Sequence, residues 1–322
     1  MGNQVIDLCI GWGPWESDPF LEFMKTYAQL RKLSFLVCDA RHAKRIIRGL
    51  KAGTTRVLFH LDRNAEYEDP EDIFSKLAYA IKDDGAFCVN EPDRARLANN
   101  KAILHYHLER AGIPIPYTIV VRNWMPADYR LTHEERKKLG KPFIVKPARG
   151  YGRQGVAQLN TGSLKEITRA RRYDRGDDFL LQQLIIPEWF GYRMGWFRLF
   201  YVLGQIIPCW WDMCSGHYSL VDTKEFEEYE LNGLCEVMWR IAQTAQMNFY
   251  STELAISGKN GRRSIVAIDY VNDPPDMTLQ TISHSGVPDR VVRHIAERLV
   301  DAACRVKQGF DAEDALSIWL GN

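Results

Sequence analysis

The stretch that decides the reading of this chain is KPFIVKPARGYGRQGV, residues 141–156. An apolar run, Pro142-Phe143-Ile144-Val145, carries Lys146 at its end and passes into Gly150, Gly152 and Gly155, interleaved with Arg149 and Arg153. The pattern is a strand that delivers a cation to a glycine loop. Without a Cβ in the way, glycine lets successive backbone N–H groups turn toward a ligand, and such amides form an anion-binding concavity. Lys146 and the two arginines add charge-assisted hydrogen bonds to phosphate oxygens. A glycine-rich hairpin between ordinary strands is the alternative reading of the same letters. The stretch is neither G-x-x-x-x-G-K-[ST] nor a G-x-G-x-x-G that opens a helix, so the P-loop and the dinucleotide fingerprint both fail.

Any anion site must be local. The chain has 322 residues and a formal net charge of +1, from 42 basic and 41 acidic residues. No global field recruits nucleic acid or an anionic membrane. The length predicts two or three folding units. No apolar run approaches the roughly 20 residues of a membrane span. The first residues, MGNQVIDLCIGWG, lack the basic region of a secretory signal, and Ile6 stands where myristoylation calls for Ser or Thr. The seven cysteines form no C-x-x-C pair, and Cys209 and Cys214 are spaced wrongly for a zinc knuckle. They read as reduced, buried small hydrophobes in a cytosolic setting. His105 and His107, two apart in a helical stretch, point to different faces and share no metal.

Outward from the glycine loop, the periodicity falls into blocks. Strands at 5–10, 34–37, 56–61 and 87–89 alternate with helices that end near Leu33, run through 43–51 and cover 71–82. That alternation predicts a small parallel sheet with covering helices, a Rossmann-like domain without a nucleotide fingerprint. A helix capped by Asp93 then runs to Gly112 and contains Lys101, which on spacing alone is a solvated helix lysine. Strands at 117–122 and 178–186 flank the loop region, the second carrying Gln182 and Gln183; helices are expected at 132–139 and 163–172. A hairpin of 196–202 and 205–211 turns at Gly204 and holds Arg198 in an apolar run, either snorkelling outward or aimed into a site. Residues 212–224 read as polar and irregular, 227–246 as one long helix, and 288–320 as largely helical packing.

Between the last two lie a strand, 248–256, bearing Glu253, a turn at 258–263, and a return strand with Asp269, Asn272 and Asp273 near its end. Two antiparallel strands that bring acids to one end suit Mg²⁺ bound to a polyphosphate, which takes hard oxygen ligands and completes its shell with water. Acids that merely solvate a rim are the alternative.

Taken in order, Lys101, Lys146 with its glycine loop, the Gln182-Gln183-Leu184-Ile185 strand, Arg198, Glu253 and the 269–272 segment resemble the ATP-grasp superfamily, of the carboxylate-amine ligase type. That group includes D-alanine:D-alanine ligase, the ribosomal-protein glutamylating ligases and glutathione synthetase. The resemblance implies an α/β chain: an N-terminal Rossmann-like, pre-ATP-grasp domain (residues 1–98), a central ATP-grasp subdomain with the glycine-rich loop (99–181), and a C-terminal subdomain with the metal site (182–322). It implies that Lys101, Lys146, Arg149, Gly150, Gly152 and Gly155 meet ATP phosphates. It assigns the adenine hinge to Gln182, Gln183, Leu184 and Ile185, and the ribose to Glu188. Arg198 then neutralises the transferred phosphate, and Glu253, Asp269 and Asn272 hold Mg²⁺.

One departure stands out. The family commonly has acid-x-Asn on its last strand, whereas Tyr270 occupies the usual acidic position here, and Asp269 and Asn272 cannot share one face of a regular strand. A bulge, the use of Asp273, or fewer ions would each accommodate this. The activity implied is ATP-dependent amide-bond formation through an acyl-phosphate, on a small amino-acid or peptide-like carboxylate and an amine. A small-molecule kinase and a non-catalytic nucleotide-binding module of the same superfamily are the competing expectations. Nucleic acid and membrane are not expected partners, and the family habit admits a homodimer. Trp210, Trp211 and Tyr218 are candidate borders of the acceptor pocket, with Trp189, Tyr192 and Arg193 along a closing edge.

Overall fold

The computed structural model describes residues 4–13, 18–126, 130–150, 152, 154–259 and 262–321. In chain order the first elements are β1 (Gln4–Gly11), α1 (Asp18–Leu30), β2 (Phe35–Cys38), α2 (Ala40–Lys51), β3 (Thr55–Leu61), α3 (Ile73–Asp83) and β4 (Phe87–Val89). The four strands form one parallel sheet in the order β2-β1-β3-β4, with Cys9 in register with His60, and His60 with Cys88. Right-handed crossovers in that order put α1 on one face and α2 and α3 on the other. Asp39 and Asp72 cap α2 and α3 by accepting from backbone N–H groups of the first turn.

The chain continues through α4 (Pro92–Ala98), α5 (Lys101–Arg110), β5 (Thr118–Val121), α6 (His133–Leu139), β6 (Phe143–Pro147), β7 (Ala157–Leu159), α7 (Leu164–Arg171), β8 (Phe179–Gln183), β9 (Trp189–Phe190) and β10 (Arg193–Met194). Strands β5-β8-β6-β7 make an antiparallel sheet, with β8 between β5 and β6. Phe143, Val145, Phe179, Leu181 and Ile167 form the core beneath it. Next come β11 (Trp196–Val202), β12 (Gln205–Trp211), β13 (Tyr218–Leu220), α8 (Thr223–Glu228), α9 (Asn232–Ala245), β14 (Phe249–Lys259), β15 (Arg262–Asn272), α10 (Asp289–Lys307) and β16 (Ser317–Ile318).

Several expectations need correction. Residues 212–224 are irregular only in part: 212–217 form turns, but Tyr218–Leu220 pairs with β12, and Asp222 opens α8 with a capping box to Glu225. The helix foreseen over 227–246 is two helices, α8 and α9. The 258–263 turn is shorter than expected, since strand runs to Lys259 and resumes at Arg262; Asn260 and Gly261 lie outside the described residues.

The chain forms two compact units. The first comprises residues 1–96, 197–251 and 273–322, the second 97–196 and 252–272. Compactness therefore groups the chain differently from contiguous blocks. Within the first unit α10 packs against α1, β1 and β3, and Arg31 of α1 pairs with Glu297 and Asp301 at 2.9 and 2.8 Å.

Candidate functional site

The helix expected to contain Lys101 is broken just before it. Asn100 caps a new helix, its Oδ1 accepting from the N–H groups of Ala102 and Ile103 at 3.1 Å, so Lys101 opens α5 and does not ride a solvated face. Its backbone N–H donates to the Ala148 carbonyl at 2.9 Å, and its Nζ to the Gly150 carbonyl at 2.7 Å. The lysine is thereby tied to the glycine loop at two points. The polar doublet Asn99-Asn100 before an apolar run was the sequence signal for this break.

Lys146, on β6 between β7 and β8, is 7% exposed. Its Nζ donates to the Ile268 carbonyl of β15 at 2.9 Å and lies 5.2 Å from the Tyr270 ring centroid. An ammonium has three donors. Among the described residues, Ile268 O is the one hydrogen-bond acceptor of Lys146. Burial pulls its pKa below the ordinary lysine value; the Asp269 and Glu253 carboxylates oppose that shift and the Lys101 charge adds to it. Asp269 also stands 3.9 Å from Lys101 Nζ. Lys101, Lys146, Gly150, Glu253 and Asp269 are thus brought together within the second unit.

Tyr270 is fully buried and explains how β15 is held there. Its hydroxyl lies 2.8 Å from His105 Nδ1 and accepts from Gln182 Nε2 at 3.0 Å, while its carbonyl accepts from Thr252 Oγ1 at 2.6 Å. Burial lowers the His105 pKa, and a neutral imidazole can accept the phenol's proton through Nδ1. Neither His105 nor Tyr270 was singled out as support for Lys146 from sequence, because their partnership spans 165 residues.

The glycine loop is shaped by its neighbours. A Cβ on Gly150 would meet Pro147 Cγ at 2.5 Å. Gly155 has φ +70, and a Cβ there would meet the Tyr173 ring at 2.5 Å. Gly152 also has positive φ. Arg149 is exposed; its N–H donates to Asp177 Oδ2 at 2.8 Å. Arg153 lies outside the described residues.

Gln182 is not a freely presented hinge residue: its Nε2 is spent on Tyr270 and on Thr118 Oγ1 at 3.2 Å, and β8 pairs on both sides at this position. The Gln183 N–H donates to Tyr117 O at 2.9 Å. Leu184 and Ile185 follow the strand end, half-buried. Glu188 pairs with Arg263 at 3.1 Å and fills the space above Gly258, where a Cβ would come within 1.6 Å of Glu188 Oε1. Asn272 ends β15, half-buried. Asp273 belongs to the first unit, where it accepts from Asn90 Nδ2 at 3.0 Å.

Arg198 also belongs to the first unit. Its guanidinium lies over Trp211, 4.9 Å from the ring centroid, with Tyr218 at 6.0 Å. Trp210, Trp211 and Tyr218 are all buried, and Trp210 Nε1 donates to Glu225 at 3.0 Å, so much of their surface is committed to packing. Trp189 and Tyr192 of the β9–β10 hairpin are 66% and 83% exposed. Of the cysteines, Cys9, Cys38, Cys88, Cys209 and Cys235 are buried as expected, whereas Cys214 is exposed.

No family model matches the chain, and no curated relative does. Solved structures do. The ATP-grasp ligase PsnB complexed with minimal precursor, Mg and ADP superposes with a TM-score of 0.64 at 14% identity, covering 95% of this chain and 100% of that one. The chain has the ATP-grasp fold. The D-alanine–D-alanine ligase from Bacillus anthracis complexed with ATP gives a TM-score of 0.61 at 15% identity over 95% of this chain and 99% of that one. The D-cycloserine synthetase DcsG gives 0.59 at 15% identity over 93% and 99%. The ATP-grasp fold therefore extends over both units, as the ordered residue set implied. Among the described residues no helix is long and apolar enough to cross a membrane.

Proposed function

We propose that this chain is an ATP-dependent carboxylate–amine ligase that works through an acyl-phosphate on a small amino-acid or peptide-like substrate, in a cytosolic setting. The observation that carries the reading is Lys146: a buried ammonium with one carbonyl acceptor, facing two carboxylates and a second lysine beside a glycine loop. Such a cation is costly to bury unless an anion completes its hydrogen bonds. A triphosphate does so.

In this reading residues 99–181 and 182–322 supply the two nucleotide-holding subdomains. Lys101 and Lys146 release the Gly150 and Ile268 carbonyls and turn to phosphate oxygens, and the 149–155 loop folds over them. The backbone of Gln182 to Ile185 borders adenine, most directly at Leu184 and Ile185, and Glu188 exchanges Arg263 for the ribose. Glu253 and Asp269 offer hard carboxylate oxygens, with the Asn272 amide as a third donor, and this chemistry fits Mg²⁺. Among the described residues no three His, Cys, Asp or Glu stand together as a metal cage, so these residues would hold the ion together with the nucleotide and not alone. An ion held there would offset the charge that develops on the transferred phosphate. Arg198 neutralises the same charge and holds the acyl-phosphate until an amine displaces phosphate. Positioning and electrostatics supply most of such catalysis, which accounts for a site rich in cations and lacking a nucleophile.

The test is incubation with ATP, Mg²⁺ and pools of amino acids and small peptides, followed by assay of ADP and phosphate and by mass spectrometry. A ligase releases phosphate only when an amine is present and yields an amide. A phosphorylated product without an amide would make it a kinase, and tight ATP binding with no ADP would make it a binding module.

A further inference from the structure

Helix α2 carries more positive charge than any packing role requires. Its sequence, ARHAKRIIRGLK, contains Arg41, His42, Lys44, Arg45, Arg48 and Lys51 and no acid. Ala43, Ile46 and Leu50 are turned into the core, whereas Arg41, Lys44, Arg45, Arg48 and Lys51 are exposed. Positions 41, 44, 45, 48 and 51 fall on one side of a 3.6-residue helix and form a stripe along its outer face. His42 pairs with the capping Asp39, and Arg48 Nε donates to the Lys44 carbonyl; among the described residues none of the five exposed cations forms an ion pair. An ordinary solvated helix would mix signs along such a face.

The stripe borders a groove of about 1220 Å³ between α2 and α3, lined by residues of the first unit, whereas Lys101 and Lys146 belong to the second. Its floor includes the half-buried Ile47, Ile73 and Ala80, with Tyr67 and Tyr79 beside them. Arg96 adds a cation to its lining, whereas Lys76 is paired with Glu71 at 2.7 Å; the two acids that line it, Asp83 and Asp84, follow one another at the C-terminal end of α3. The hollow is larger and more open than a small-molecule pocket. An apolar floor under a cationic wall suits an extended or helical peptide that places aliphatic side chains below and carboxylates along α2. A nucleic-acid backbone would leave that floor unused, and the chain as a whole carries no field to attract one.

We infer that the α2–α3 groove is a docking site for an acidic, partly aliphatic peptide segment of a partner protein. The inference is independent of the activity proposed above, and its test needs no turnover. Selection of a displayed library of short random peptides on the full chain should enrich sequences rich in Asp and Glu with interspersed aliphatic residues. A labelled peptide from the enriched pool should bind less tightly as salt rises. The Lys44→Glu/Arg48→Glu variant should bind it at least about tenfold more weakly, and the Lys44→Gln/Arg48→Gln variant by an intermediate factor. Both substitutions are on exposed side chains, and circular dichroism checks that the helix persists. Enrichment of non-acidic peptides, or unchanged binding by both variants, would overturn the inference. So would a DNA duplex, a phosphatidylserine vesicle or a second copy of this chain that uses the same lysine and arginine with equal or tighter affinity.

Discussion

Lys146 in the second unit and Asp273 in the first are both ionisable groups enclosed by protein, and they meet the cost of burial in opposite ways. Lys146 faces carboxylates of opposite sign, which oppose but do not cancel the lowering of its pKa by burial. Asp273 faces a like charge. Burial, and after it the Asp62 charge, push its carboxyl up to about 7 against the pull of the hydrogen bond from Asn90 and the charge of Arg63. Asp62 is itself raised to about 6 by burial, although the Tyr67 hydroxyl donates to it at 2.9 Å and the Asn64 and Ala65 amides at 3.3 Å. Both carboxyls keep an edge in solvent, being half-buried by surface area. The difference is one of sign: the neighbours of Lys146 oppose what burial does to its charge, whereas the neighbouring acid of Asp273 adds to it.

The sharpest way to break this contrast is Lys146→Ala. The proposal requires ATP turnover to fall by a factor on the order of 10² to 10³ or more, with the thermal midpoint near that of the parent chain. Full turnover would remove the lysine from the reading. Asp273→Asn tests the other side. A carboxyl raised in the folded state adds stability below its unfolded value, 3.8, and loses it as pH rises through about 7. The parent chain should therefore lose about 2 kcal/mol more than the variant between about pH 4 and pH 8, roughly half of what the shift alone implies because the group is partly solvated. Urea midpoints across that range decide it, and parallel curves would sink the assignment.

Tyr270→Phe probes how the Lys146 side is braced. Loss of the hydroxyl leaves His105 Nδ1 without its partner and Gln182 Nε2 with Thr118 alone, a cost of about 1–2 kcal/mol by denaturant titration. The smallest effect is expected from Gly258→Ala. The new methyl displaces Glu188 from Arg263, an exposed ion pair, and the loss should stay below about 1 kcal/mol while nucleotide affinity shifts if Glu188 meets the ribose.

Much of the fold was legible because it is written locally. The parallel strands at 5–10, 56–61 and 87–89 announced themselves as short apolar runs separated by helical periods, and Gly204 fixed the β11–β12 hairpin. The misreadings were of the same kind: Asn100 and Asp222 are N-caps whose signal was present but weighed less than the longer hydrophobic pattern around them. Within the site, Lys146 before its glycine loop could be singled out from one strand and its turn. Lys101 could be singled out only through resemblance, since a helix lysine carries no mark of where it points.

By itself the amino-acid order determined the elements, their caps and the set of cations and acids that such chemistry needs, because capping, periodicity and glycine turns act within a few residues. Only the tertiary structure decided that Lys101 is anchored to Gly150, that Lys146 sits against Ile268 and Tyr270, and that a C-terminal helix covers the first sheet. Those contacts join residues 49 and 122 positions apart, or opposite ends of the chain. Their existence depends on which faces are buried together, a property of the packed whole that no short stretch encodes.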